Sequence, residues 1–314
     1  IQTATPEITP PINPPKKCGD GTCAGPENTS NCPSDCSPIN PTRIALAGPE
    51  LFPGERPNTY WLTNPTSGAQ LYVEVLHPTN WDGTPAQTLV LIPGGVGFGT
   101  QMAGSGQAQA LADRGFAIIV FDPDGRGLSQ GDEDYNGFIH QDGLAALLQI
   151  IPSLPEVNPE KIGLVSYSYG VTMASGTLSR YPDLQVRFWI DWEGPVNRYY
   201  TTGNCNQEFG HIDWQPCTDE VFWAEREALT FISGVKVPYQ RIQSQTDHVQ
   251  PNNNHAIEMI NAAVAAGLSW VRLNGYPPNQ TYSLDTQPAM LDDQSDKQLN
   301  VIITDYANEL FNLP

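Results

Sequence analysis

The chain is poor in positive charge. Fifteen Lys and Arg stand against 34 Asp and Glu over 314 residues, a net charge of −19 with histidine neutral. Such a surface repels phosphate backbones and anionic headgroups, so nucleic acid and anionic membrane surfaces are excluded as expected partners. Long apolar runs are missing too, and none approaches the roughly 20 residues that span a bilayer. No leader opens the chain: Ile1 runs at once into a polar, Pro-rich stretch, which reads as a mature product whose targeting segment has been removed. Histidine is scarce, with five residues and none after His255. What remains is 39% hydrophobic and 16% charged, which excludes a mainly disordered chain and leaves room for one large domain with a small appendage.

Six cysteines fall into two groups, Cys18, Cys23, Cys32 and Cys36, and separately Cys205 and Cys217. An even count in local groups suits disulfides and an oxidising, extracellular compartment. Zinc is the competing reading of the first group, disfavoured because the segment has neither C-x-x-C nor histidine. Residues 18–36, CGDGTCAGPENTSNCPSDC, resemble a short cysteine module appended to secreted bacterial and archaeal proteins. Nineteen residues cannot bury a core, so cross-links or an ion must hold them. Asp20, Glu27 and Asp35 offer oxygen ligands for a structural calcium ion, or are solvated turn acids. Ahead of the module, the Pro-rich residues 1–17 form an extended arm, either a plain linker or a docking segment for a homo-oligomer through Ile1, Ile8 and Ile12. Sequons at Asn28 and Asn279 are compatible with secretion and glycosylation.

From about residue 40, within a domain of residues 37–314, strand and helix patterns alternate. Strands are expected at 71–78, 88–95, 116–122, 161–168, 186–194, 237–247 and 269–276. Helices are expected near 104–114 and at 143–154, 171–182, 254–267 and 297–313. This alternation predicts an α/β fold, a doubly wound and mostly parallel sheet with helices on both faces. An insertion at about 195–235 holds Cys205 and Cys217, which would staple it. Its aromatics Tyr199, Tyr200, Phe209, Trp214, Phe222 and Trp223 either pack a cap or line an apolar pocket.

Ligands in such sheets bind beyond the carboxyl ends of the strands, and four of those ends carry unusual residues. Ser166-Tyr167-Ser168-Tyr169-Gly170 stands between a buried strand and a helix. Pro93-Gly94-Gly95-Val96-Gly97 ends the 88–95 strand, and Asp122-Pro123-Asp124-Gly125-Arg126-Gly127 follows the next. Asp247 closes the strand VPYQRIQSQ, four residues before Pro251. Over roughly residues 60–314 this set resembles the α/β-hydrolase family, including dienelactone-hydrolase-like esterases and peptidases. The resemblance implies that Ser168 is the nucleophile of a G-x-S-x-G elbow, with Ser166 replacing the first glycine. It implies an oxyanion hole from Gly95, Val96 and Tyr169, with Asp247 as the triad acid.

The family histidine should follow SWVRLNGY, where the chain has Pro277-Pro278-Asn279-Gln280 instead. His77 and His140 precede the elbow, and His255 opens a helix. His248 adjoins Asp247 and is expected to point away from it, as neighbours in an extended strand do. His211, in the insertion, is either a surface residue or a base reaching Ser168 from above. Two functions follow. One is a secreted serine hydrolase (carboxylesterase or peptidase type) acting on a small-molecule ester or a peptide, with an incomplete triad and no catalytic cofactor. The other is a non-catalytic protein of the same fold, serving extracellular binding or filament and surface-layer assembly through its arm.

Overall fold

The computed structural model describes residues 48–202, 205 and 216–313. The arm, the cysteine module with Asp20, Glu27, Asp35, Cys18, Cys23, Cys32 and Cys36, and also Asn28, Phe209, His211 and Trp214 lie outside the described residues.

Runs of aliphatic side chains form the strands because alternate positions can fill both faces of a covered sheet. These are β1 (Leu51–Pro53), β2 (Thr59–Thr63), β3 (Gln70–Leu76), β4 (Ala86–Ile92), β5 (Ala117–Phe121), β6 (Val157–Tyr167), β7 (Phe188–Trp192), β8 (Tyr239–Ile242) and β9 (Val271–Leu273). The sheet order is β1-β2-β3-β5-β4-β6-β7-β8-β9. Pairs from β1 through β3 to β5 are antiparallel, and those from β5 to β9 are parallel. The helices are α1 (Gly99–Gly104), α2 (Gln107–Ala112), α3 (Phe138–Ile150), α4 (Gly170–Arg180), α5 (Arg198–Thr201), α6 (Glu220–Ala224), α7 (Ala228–Phe231), α8 (Asn254–Ala265) and α9 (Asp296–Phe311).

The two-residue period divides the apolar side chains between two cores. Val90, Ile92, Ile119 and Phe121 join one core with residues of α3, α4 and α8. Leu89, Leu91, Ile118 and Val120 join the other with residues of α1, α2 and α9. Each such side chain contributes about 1.5–3 kcal/mol when fully buried, so neither face tolerates solvent. The expected doubly wound, mostly parallel architecture is the one observed.

Several expected elements differ in extent. β1 and β2 form an antiparallel start that the 71–78 strand did not announce, both being short and joined through Asn58 with φ +59°. The helix expected near 104–114 is two short helices, broken at Gly106 with φ +83°. The strand expected through Asp247 stops at Ile242. Beyond it the Gln243 and Ser244 amides bond to side chains, Asn274 Oδ1 at 2.8 Å and Glu193 Oε1 at 3.0 Å. The strand expected over 269–276 is three residues long, its first amide bonded to Asn279 Oδ1 at 2.8 Å.

The insertion between β7 and β8 carries α5, α6 and α7, and a disulfide joins Cys205 to Cys217. Arg198 braces it, bonding Glu220 and Glu227 at 2.9–3.0 Å. Phe222 and Trp223 are buried, while Tyr199 is exposed. A buried ion pair between Arg226 and Asp134, 2.5 Å, ties the insertion to the loop ahead of α3.

Candidate active site

The carboxyl end of β6 runs into α4 through Ser168, whose φ is +49°. A side-chain-bearing residue in that left-handed region stores strain of about 1–3 kcal/mol. The surroundings hold it there: the Ser168 N–H donates to Trp192 O at 2.8 Å, and Val171 N–H donates to Ser168 O at 3.0 Å. The turn is tight enough to need glycine beside it. A Cβ on Gly94 would meet Ser168 Cβ and Tyr167 O at 2.8 Å, and one on Gly170 would meet Pro93 O at 2.7 Å. Ser166, where a G-x-S-x-G turn would have its first glycine, is fully buried and uses its hydroxyl, accepting from Trp189 Nε1 at 2.8 Å and facing Asp191 Oδ1 at 3.3 Å.

His248 faces the serine. Its Nε2 lies 2.9 Å from Ser168 Oγ. Its Nδ1 lies 2.8 Å from Glu193 Oε2. A carboxylate only accepts, so Nδ1 carries the proton and Nε2 is left with a lone pair toward the hydroxyl. Glu193 closes β7, is almost wholly buried, and also has φ +49°. Its carboxylate accepts further from Ser244 N–H at 3.0 Å and His248 N–H at 3.1 Å, which fixes its direction. Trp192 stacks on the imidazole with centroids 4.6 Å apart and planes at 22°.

Asp247 Oδ1 stands 3.5 Å from the same Nδ1, farther than Glu193. Its bonds are made elsewhere: Oδ1 takes the Val249 and Gln250 amides, both at 2.8 Å. Oδ2 takes Gln243 Nε2 at 2.8 Å and faces His255 Nε2 at 3.1 Å. Burial alone would push this carboxyl up. Hydrogen bonds from His255, Gln250 and Gln243 outweigh burial and hold it well below the usual carboxylate range.

The loop of Gly94–Gly97 packs against the elbow, with Gly95 and Val96 exposed. The N–H groups of Gly95, Val96 and Tyr169 donate to no acceptor among the described residues. Asn136 Nδ2 donates to the Tyr169 carbonyl at 2.8 Å, which holds the Tyr169–Gly170 peptide that follows. Arg126 binds both oxygens of Glu133, at 2.7 and 2.6 Å, and reaches Gly97 O at 3.3 Å. It ties the loop after β5 to the glycine loop.

Among the described residues, Glu193, Asp247 and His248 could also hold a metal ion, their ligand atoms lying within 4.8 Å of one another. The strained serine on the other imidazole nitrogen is a feature that metal binding leaves without explanation.

No family model matches the sequence, and no curated protein matches it. Solved structures match the fold. An esterase of Pyrococcus furiosus is 15% identical with a TM-score of 0.56, over 96% of this chain and 97% of its own. Est1E of Butyrivibrio proteoclasticus, solved with ferulic acid bound, is 13% identical with a TM-score of 0.56, over 78% of this chain and 97% of its own. Dipeptidyl peptidase 4 of Porphyromonas gingivalis is 14% identical with a TM-score of 0.55, over 85% of this chain and 35% of its own. The chain thus spans about a third of that peptidase. The fold is that of the α/β-hydrolases.

Against that fold, the sequence expectations for the base and the acid change. His248, expected to point away from Asp247, stands against the Ser168 hydroxyl. The extended-strand rule does not apply to it, because β8 has already ended and residues 247–250 form a turn. The carboxylate on its far nitrogen belongs to Glu193, one strand earlier than Asp247. The hydrolase position after β9 carries Asn279, whose side chain bonds Val271 N and Ser269 O instead. Glu193 had a legible signal, an acid and a glycine ending the strand next to the nucleophile strand. His77 and His140 are remote by contact: His77 stacks on Trp81, and His140 accepts the Asn136 amide on Nδ1 while its Nε2 faces Asp124 O at 3.0 Å.

Proposed function

We propose that this chain is a serine hydrolase of carboxylic ester or amide bonds, using Ser168, His248 and Glu193. One observation carries the reading: a strained serine with an imidazole nitrogen 2.9 Å from its hydroxyl and a buried carboxylate 2.8 Å from the other nitrogen. Ser168 Oγ attacks the substrate carbonyl carbon while its proton passes to His248 Nε2. Glu193 stabilises the imidazolium and keeps its ring oriented. The tetrahedral oxyanion is received by the N–H of Tyr169 and of Gly95 or Val96. The imidazolium then protonates the departing alkoxide or amine, leaving an acyl-serine. Water gives a proton to His248 and attacks the acyl carbon. The imidazolium returns that proton to Ser168 Oγ as the carboxylic acid leaves.

The peptidase and esterase neighbours agree with acyl chemistry, and Cys205–Cys217 supports a compartment outside the reducing cytosol. A fluorophosphonate probe tests the reading without a chosen substrate. Wild-type protein should label at one site, and Ser168→Ala and His248→Ala should each abolish labelling. Absence of wild-type labelling, or labelling that survives either substitution in folded protein, refutes it.

A further inference from the structure

Behind His248 lies a second buried histidine with a carboxylate of its own. Arg241, on β8, is fully buried. Its Nη1 donates to Asp191 Oδ2 at 2.5 Å and Gly194 O at 2.9 Å. Nε and Nη2 donate to Gln243 Oε1 at 3.3 and 2.8 Å, and Nη2 also faces His255 Nδ1 at 3.1 Å. A guanidinium offers donors only and keeps its proton. A hydrogen bond across that 3.1 Å contact has His255 Nδ1 as its acceptor. We take that arrangement over a bond from Nδ1 to Gly194 O, 3.0 Å away, because it leaves no two N–H groups facing each other. That carbonyl takes its hydrogen bond from Arg241 Nη1.

Fixing Nδ1 as acceptor places the proton on Nε2, which points at Asp247 Oδ2 across 3.1 Å. The Asp247 account then closes. An ionised carboxylate offers about four lone-pair sites, and here two side chains fill Oδ2 while two backbone amides fill Oδ1. Those amides, Val249 and Gln250, bracket His248 together with Asp247 itself. The turn that aims the catalytic imidazole is thus held by a carboxylate whose own direction is set by His255. Among the described residues the charged groups in contact with His255 are Arg241 and Asp247, with Asp191 behind Arg241, while the Tyr200 ring covers it at 5.4 Å.

We propose that His255 is a positioning residue for His248, acting through Asp247 with its tautomer set by Arg241. The proposal rests on the Ser168–His248–Glu193 reading above. Fluorophosphonate labelling rates and p-nitrophenyl acetate kinetics test it on the full chain. His255→Leu removes the donor to Asp247 and should lower kcat and the labelling rate about 10- to 100-fold, the scale of a slightly misplaced catalytic group, with KM changed less than about threefold. His255→Gln keeps an N–H donor near the Nε2 position and should restore most of the rate. The shorter His255→Asn should not. In His248→Ala the His255→Leu change should have no further effect on the rate, as for members of one unit.

A folded His255→Leu protein that labels at the wild-type rate overturns the proposal. Should that variant fail to fold, equal rates for His255→Gln and His255→Asn overturn it. Labelling of the wild type that ignores Ser168→Ala or His248→Ala sinks the earlier reading instead. Labelling that needs both residues yet is indifferent to His255 sinks only this one.

Discussion

Replacing Glu193 by glutamine removes one charge and little volume from the deepest part of the site. The carboxylate lies 2.8 Å from His248 Nδ1, and unit charges at that distance attract by about 6 kcal/mol at an effective dielectric of 20. His248 keeps 29% of its side chain exposed, so solvent screens the pair, and roughly half of that figure is the safer floor. The charge matters mainly once the imidazolium forms, so the loss falls on the chemical step. Between about 3 and 6 kcal/mol, kcat should drop by roughly 10² to 10⁴ while KM stays within a few-fold. The fold should weaken only modestly. Ser244 N–H sits on one oxygen and His248 N–H and Nδ1–H on the other; the amide oxygen can serve one side, and each donor left unmatched costs about 1–3 kcal/mol. Steady-state hydrolysis of p-nitrophenyl acetate, read beside the melting temperature, separates the two effects. A folded Glu193→Gln enzyme within about tenfold of wild-type kcat would refute Glu193 as the partner of the base and return that role to Asp247.

Gly94→Ala should slow fluorophosphonate labelling more than about 100-fold, because its methyl would lie 2.8 Å from both Ser168 Cβ and Tyr167 O and must displace the elbow or the glycine loop. Normal labelling by the folded variant would show that the two segments are not packed as described. Burial pushes the Asp124 carboxyl up to about 6, against hydrogen bonds from Ser67 and Asn64, so the folded state holds a proton that the unfolded chain releases earlier. Its stabilisation is complete below the ordinary carboxylate range and is lost as pH rises through about 6. Asp124→Asn should therefore gain up to about 3 kcal/mol relative to wild type between pH 4 and pH 7. Parallel unfolding midpoints across that window would refute the assignment.

The architecture was legible because it rests on local signals. Aliphatic runs such as TLVLI and AIIVF announce strands covered on both faces, and the glycines and serine of Ser166–Gly170 announce a turn that only certain residues fit. Short antiparallel β1 and β2 escaped notice because three to five residues carry too little periodicity to stand out. The partners of Ser168, His248 and Glu193, escaped for a different reason. Nothing local marks His248, since its aim depends on where β8 stops. That point is decided by partners far along the chain, Asn274 for Gln243 N–H and Glu193 for Ser244 N–H. Glu193 likewise faces the site because its φ of +49° turns it off β7, a conformation that residue type disfavours and that packing imposes. By itself the sequence determined the sheet, its cores and the tight turn at Ser168, all products of short-range pattern and burial. Only the tertiary structure decided which histidine and which carboxylate meet Ser168, because that meeting joins the ends of three different strands.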